Sequence, residues 1–150
     1  MPISVVIAGS TGWVGRALVP AVASADDLAL AAAVAPSAAG RDAGEAVGLA
    51  PAGVMIARTL GEALDGLPAG GVVVDYTRPG AVMGNTLLAL SRGFHVVIGT
   101  SGLGAEDYAQ IDAAAQTARL GVIAAGNFSV TAALMKRFAL EAAKYVATWR

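Results

Sequence analysis

The chain has 150 residues, 56% of them hydrophobic and 14% charged, with a net charge of −1 and no cysteine. That length suits one domain, and the apolar share allows a large core, which excludes a disordered chain. The near-neutral charge gives no electrostatic case for nucleic acid or an anionic membrane, and the lack of cysteine excludes disulfides, thiolate catalysis and cysteine-ligated metals.

Apolar runs alternate with helical patterns from one end to the other. Ile3–Ala8 reads as a buried strand, and Gly12–Ala23 as the helix after it. Between them stands Gly9-Ser10-Thr11-Gly12-Trp13-Val14-Gly15-Arg16, a Gly-x-x-Gly-x-x-Gly turn. Leu28–Ala35 is the second strand, stopped by Pro36. Ala38–Leu49 reads as a loop with a short helix beginning near Asp42. Val54–Ala57 is a short strand, and Thr59 is placed to cap a helix over Leu60–Leu64. Gly71–Asp75 is a strand with a polar end, followed by a helix from about Gly80 to Ser91. His95–Ile98 is a strand, Ala105–Arg119 a helix and Gly121–Ala125 a strand. Val130–Val146 is a long closing helix, on which Leu134, Phe138 and Ala142 recur at helical spacing as core positions.

Continuous apolar strands separated by helices predict a Rossmann-type α/β fold: a doubly wound, mainly parallel sheet with helices on both faces, in one domain over residues 1–150. The low charged fraction predicts apolar surface covered by another domain or subunit. No basic region precedes the first strand and no apolar run reaches the ~20 residues of a membrane span. A soluble cytoplasmic protein without a leader is expected.

In an open parallel sheet, ligands bind beyond the carboxyl ends of the strands. Four such ends here are polar or glycine-rich. The first is the glycine turn, where Gly9 permits the bend, Gly12 lets backbone approach a phosphate and Gly15 brings the helix close to the strand. Ser10 and Thr11 add hydroxyls at the helix start, whose N–H groups favour an anion. The others are Asp75-Tyr76-Thr77-Arg78-Pro79, Gly99-Thr100-Ser101-Gly102 and Gly126-Asn127-Phe128-Ser129. Plain alternatives stand beside each. Asp75 ties the turn that Pro79 ends, Arg78 is a solvated arginine, Thr100 and Ser101 cap the next helix, and Asn127 is a turn residue. His95, the single histidine, reads as structural, and Trp13 as packing or a lid.

These four segments resemble the nucleotide-binding domain of the dihydrodipicolinate reductase family, with its Gly-x-x-Gly-x-x-Gly-Arg, Asp-Phe-Thr-x-Pro, Gly-Thr-Thr-Gly and Asn-Phe-Ser motifs in the same order. The resemblance implies an NAD(P)H-dependent reductase of diaminopimelate and lysine synthesis. Gly9, Ser10, Thr11, Gly12, Trp13 and Val14 would hold the pyrophosphate. Tyr76, Thr77 and Arg78 would lie beside adenine and its ribose. Gly99, Thr100 and Ser101 would line the nicotinamide ribose, and Ala125, Gly126, Asn127 and Phe128 would place the nicotinamide. A related reductase and a stand-alone dinucleotide-binding or redox-sensing module are the alternative readings.

Three positions depart from the family pattern. The second strand ends in Val34-Ala35-Pro36-Ser37 with no acid to bind a ribose 2′-hydroxyl, Trp13 stands where arginine is common, and Thr131 replaces a glycine. Without an acid there, Ser37 and Arg41 are candidates to meet a 2′-phosphate, so the reading leans to NADPH over NADH. The family's substrate domain supplies paired histidines, a lysine and a carboxylate-binding loop, and builds a tetramer. That domain would begin near Ala147-Thr148-Trp149-Arg150. The 150 residues hold one histidine and two lysines, both on the last helix, so no catalytic residue and no metal ligand is assigned. Cofactor binding without turnover is the expectation, with a small dicarboxylate substrate held by the second domain.

Overall fold

Valine, isoleucine and alanine fill the apolar runs, and in the computed structural model, which describes residues 1–146, these runs form six strands. They are β1 (Ile3–Ala8), β2 (Leu28–Val34), β3 (Ile56–Ala57), β4 (Val72–Asp75), β5 (His95–Ile98) and β6 (Val122–Ala124). The helices are α1 (Gly15–Ala23), α2 (Ala43–Ala46), α3 (Leu60–Leu64), α4 (Pro79–Ser91), α5 (Ala105–Ala118) and α6 (Val130–Val146). The sheet order is β3-β2-β1-β4-β5-β6, and every named pairing is parallel. From β1 the chain winds outward through β2 and β3, then returns to β4 on the other side. Connections leave β1 and β4 in opposite directions, so a crevice opens beyond their carboxyl ends.

Alternation along each strand sends side chains to two cores. Val6, Ala8, Val73, Val96 and Ile98 meet Leu64, Val82, Leu90 and Phe94 under α3, α4 and α5. On the other face, Val5, Ile7, Ala33 and Ile56 meet Val19, Val22 and Ala43 of α1 and α2. This second layer covers β1 to β3 and reaches β4 only at Val74. Val72, Val74, His95 and Val97 remain half-buried and Ile123 is exposed. The expectation of helices over both faces is therefore met fully on one face and partly on the other.

Two corrections follow. Leu134, Phe138 and Ala142, expected in the core, are all exposed, the first two at 43% and 66%, and α6 has no buried residue. Its apolar stripe finds no matching surface among the described residues. Helix α1 begins at Gly15 rather than Gly12, because the Gly12 N–H turns back to the Gly9 carbonyl at 3.0 Å and closes a turn first. His95 is structural as expected: its Nδ1 accepts from the Gly121 N–H at 2.8 Å and pins the start of β6. The segment Ala147 to Arg150, where the chain was expected to leave the domain, lies outside the described residues.

The excursion from β2 to β3 depends on Asp42. Its Oδ1 accepts from the N–H groups of Gly44 (2.8 Å) and Glu45 (3.2 Å), capping α2, and from Ala52 (2.8 Å) across the loop. The Ala52 N–H lowers the carboxyl below the usual carboxylate range most strongly; burial opposes it, and the Glu45 and Gly44 N–H groups add to the lowering. A lowered folded-state value stabilises the fold above the unfolded value of about 3.9, and the contribution is lost as pH falls through the lowered value. Asp42→Ala should lower the melting temperature by on the order of a few degrees at pH 7. The gap to the parent should shrink below about pH 4. A gap that stays constant on acidification would contradict this role.

Candidate functional site

The glycine turn joins β1 to α1 and is held by β2. Gly9 and Ser10 both donate their N–H groups to the Val34 carbonyl, at 2.9 and 3.0 Å. Gly9 has φ +87°, and a Cβ there would lie 2.5 Å from the Tyr76 carbonyl oxygen. A Cβ on Gly15 would strike the Gly9 carbonyl and the Ser10 backbone. Gly12 differs: a Cβ there would meet only the Gly9 carbonyl, at 3.2 Å, so that position faces open space. The N–H groups of Thr11, Trp13 and Val14 have no backbone acceptor among the described residues. Of these, Trp13 and Val14 are adjacent and Thr11 lies one residue earlier, across the paired Gly12 N–H. Unpaired N–H groups clustered ahead of a helix form a concavity suited to a phosphate. Gly9 and Gly15 thus build the turn, and Gly12 keeps its mouth open.

Ser10 does not join that mouth. It is fully buried, and its hydroxyl donates to the Val34 carbonyl at 3.3 Å, so it fastens the turn to β2 instead of reaching toward an anion. Thr11 faces the crevice, and its carbonyl accepts from Arg16 Nε at 3.0 Å.

At the end of β4, Asp75 is fully buried and holds four donors. Its Oδ1 accepts from the Thr77 N–H (2.8 Å), the Thr77 hydroxyl (2.6 Å) and the Thr100 hydroxyl (3.1 Å), while Oδ2 accepts from Asn85 Nδ2 (2.8 Å). This carboxylate ties the loop after β4 to α4 and to the loop after β5. The turn-tying reading of Asp75 is correct and too small, because the same group also fixes Thr100. Tyr76 sits on this anchor. Its N–H donates to the Ala8 carbonyl at 2.9 Å, and its ring lies where a Cβ on Gly99 would be.

Two clefts flank Tyr76 and Thr77, which line both. The larger, about 560 Å³, runs from Gly9, Thr11 and Gly12 past Ser37 to Arg78. The smaller, about 280 Å³, is bounded by Trp13, Val14, Gly99, Thr100 and Ser101. Trp13 is 96% exposed and packs against no core, which removes its packing role. Ala125, Gly126, Asn127 and Phe128 line neither cleft. The Ala125 N–H is used by the Ile98 carbonyl (3.2 Å), Asn127 Oδ1 accepts the Ser129 N–H (2.8 Å), and Phe128 is exposed. The fourth strand end is at the right edge but stands outside the walls of the crevice.

Sequence reasoning missed Arg58 and Asn85, which also line the larger cleft, while Arg41 does not. The signal for Arg58 was its place one residue after the β3 run. Neither Arg58 nor Arg78 is in an ion pair among the described residues, and no carboxylate lines that cleft.

The family model described as dihydrodipicolinate reductase, N-terminus, matches residues 3–128. The 4-hydroxy-tetrahydrodipicolinate reductase of Thermosynechococcus vestitus is 38% identical over 96% of this chain and 53% of its own. That of Desulfitobacterium hafniense is 36% identical over 95% of this chain and 54% of its own. Among solved structures, a dipicolinate-bound dihydrodipicolinate reductase from Paenisporosarcina sp. TG-14 superposes with a TM-score of 0.77 at 32% identity, covering 97% of this chain and 55% of that one. GenD2 of gentamicin biosynthesis, solved with NAD, shares the fold alone, with a TM-score of 0.66 at 21% identity over 85% of this chain and 35% of its own. The chain spans about half the length of the curated relatives it matches.

Removing the Asp75 carboxylate orphans several buried donors at once. Asp75→Ala should cost about 3 kcal/mol in urea unfolding, a sum over unmet hydrogen bonds. Asp75→Asn should cost clearly less, because the Asn85 amide can turn its oxygen toward the new NH₂ group. Equal losses in the two variants would contradict this hydrogen-bond assignment.

Proposed function

The chain belongs to the dihydrodipicolinate reductase family, as its N-terminal part, and we propose that it holds the NAD(P)H of a 4-hydroxy-tetrahydrodipicolinate reductase. The observation that carries this reading is the crevice at the β1–β4 crossover point, with unpaired N–H groups at its base and no carboxylate in its larger cleft. The residues present fit a dinucleotide. Gly12 leaves the approach to the turn open, and the N–H groups of Thr11, Trp13 and Val14 meet the pyrophosphate. Tyr76, Thr77 and Arg78 accept the adenosine end, and Ser37 stands near its ribose. Gly99, Thr100 and Ser101 receive the nicotinamide ribose in the smaller cleft. Ala125 to Phe128 complete the nicotinamide end from outside the cleft walls.

When bound, NAD(P)H supplies the hydride; the chain's own residues bind, orient and shield. Asp75 orients Thr100 toward the nicotinamide side, while its bond to Asn85 fixes α4 beneath the adenosine side. In this reading NADPH is preferred to NADH, because an acid that would repel a 2′-phosphate is missing from the β2 end. The reductive step needs a substrate site and a proton donor. These come from the second half of the protein, which also covers α6 and the bare face of β4 to β6, binds the dicarboxylate substrate and builds the tetramer. The cytoplasm is its compartment.

Fluorescence titration of this chain with NADPH tests the reading, with Gly12→Asp as the disabled form. A carboxylate at the mouth of the turn repels pyrophosphate, so affinity should fall by about tenfold or more. The melting temperature should change little, since a Cβ at Gly12 meets a single atom. Unchanged affinity would remove the phosphate site. Steady-state reduction of the family's substrate by these 150 residues alone should not be measurable, and turnover would contradict the division of labour.

A further inference from the structure

We infer that Arg58, at the corner between β3 and α3, is the residue that distinguishes NADPH from NADH by pairing with the 2′-phosphate. The inference rests on the cofactor reading above and adds to it the group that selects. Its first support is register. Val34 pairs with Ala57 across β2 and β3, and the Ala35 N–H donates to the Ala57 carbonyl at 3.1 Å. Arg58 is the next residue, so it stands level with the β2 end, where an adenosine ribose is read in this fold.

Its second support is charge. The larger cleft is lined by two arginines, Arg58 and Arg78, and by no carboxylate. Neither is in an ion pair among the described residues, so neither cation is neutralised within the fold. The two stand on opposite sides of β1: Arg58 follows β3, beyond β2, and Arg78 follows β4. With the ribose read at the β2 end, a 2′-phosphate would lie on the Arg58 side of β1. Arg78 is left to the adenine.

Its third support is local structure. The Arg58 backbone is held by its N–H donating to Glu62 Oε2 at 3.0 Å, and the following Thr59 caps α3 through the Glu62 N–H at 3.2 Å. The side chain is exposed and lines the same cleft as Ser37. A guanidinium carried on a backbone fixed at that corner, in a cleft also lined by Ser37, suits a phosphate monoester. Arg41, the arginine that follows Ser37 in sequence, lies outside this lining, and its carbonyl accepts the Ile56 N–H at 2.8 Å.

The test is a set of dissociation constants for NADPH and NADH at fixed ionic strength, for the parent chain, Arg58→Ala and Arg41→Ala. The expected result is a parent that prefers NADPH. Arg58→Ala should lose about tenfold or more in NADPH affinity while NADH stays within about twofold, with a shallower salt dependence for NADPH. Arg41→Ala, which removes an equal charge, should leave the ratio of the two constants near that of the parent. The inference is overturned if Arg58→Ala weakens both cofactors alike or neither, or if Arg41→Ala has the larger effect on the ratio. A parent that binds both cofactors equally also overturns it, while leaving the cofactor site intact. A parent that binds neither removes the cofactor reading and this inference together.

Discussion

A single buried carboxylate organises the carboxyl edge of this sheet. Asp75 accepts four hydrogen bonds from Thr77, Asn85 and Thr100, and so joins the loop after β4, the helix α4 and the loop after β5. Burying a carboxylate is tolerable only when its lone pairs are met, and here they are. Tyr76, fixed on that anchor, then dictates two glycines. Its carbonyl leaves no room for a Cβ at Gly9, and its ring none at Gly99. Two motifs far apart in sequence therefore answer to one residue between them.

The order of elements was readable because alternating apolar runs and helical patterns are local signals. β1, α3, β5 and α6 fall on the residues expected, and Thr59 caps α3 as its position suggests. The misreadings concern what only the assembled sheet decides. Ser10 looked like a hydroxyl at a helix start, but the turn lies against β2, and Val34 takes both its N–H and its hydroxyl. Leu134 and Phe138 have the spacing of core residues, and spacing does not say whether a partner surface exists. Arg58 carries no motif. Its place level with the β2 end comes from the β2–β3 register, a pairing of only two residues at each strand that no periodicity announces.

The two sheet faces explain the unusual composition. One is covered by α3, α4 and α5; the other is covered by α1 and α2 over half its width. Exposed Ile123 on the uncovered half, and separately the exposed apolar residues of α6, add to the two cores in a chain that is 56% hydrophobic and 14% charged. Exposed apolar area of this kind marks a contact surface. Family relatives are nearly twice as long as this chain. A cofactor half that leaves one flank apolar, and a second half that covers it and brings substrate, together form one enzyme in this reading. Charge is partitioned to match, with the larger cleft cationic and free of acids.

Amide chemical-shift mapping of the isotope-labelled chain on addition of NADPH tests the central claim most directly. The strand ends should respond together: Thr11 to Val14, Ser37, Arg58, Tyr76 to Arg78, Gly99 to Ser101, and Ala125 to Phe128. The bare flank around Ile123 and the body of α6 should stay unchanged. Shifts confined to that flank, or none at saturating NADPH, would contradict a dinucleotide site at the carboxyl edge of this sheet.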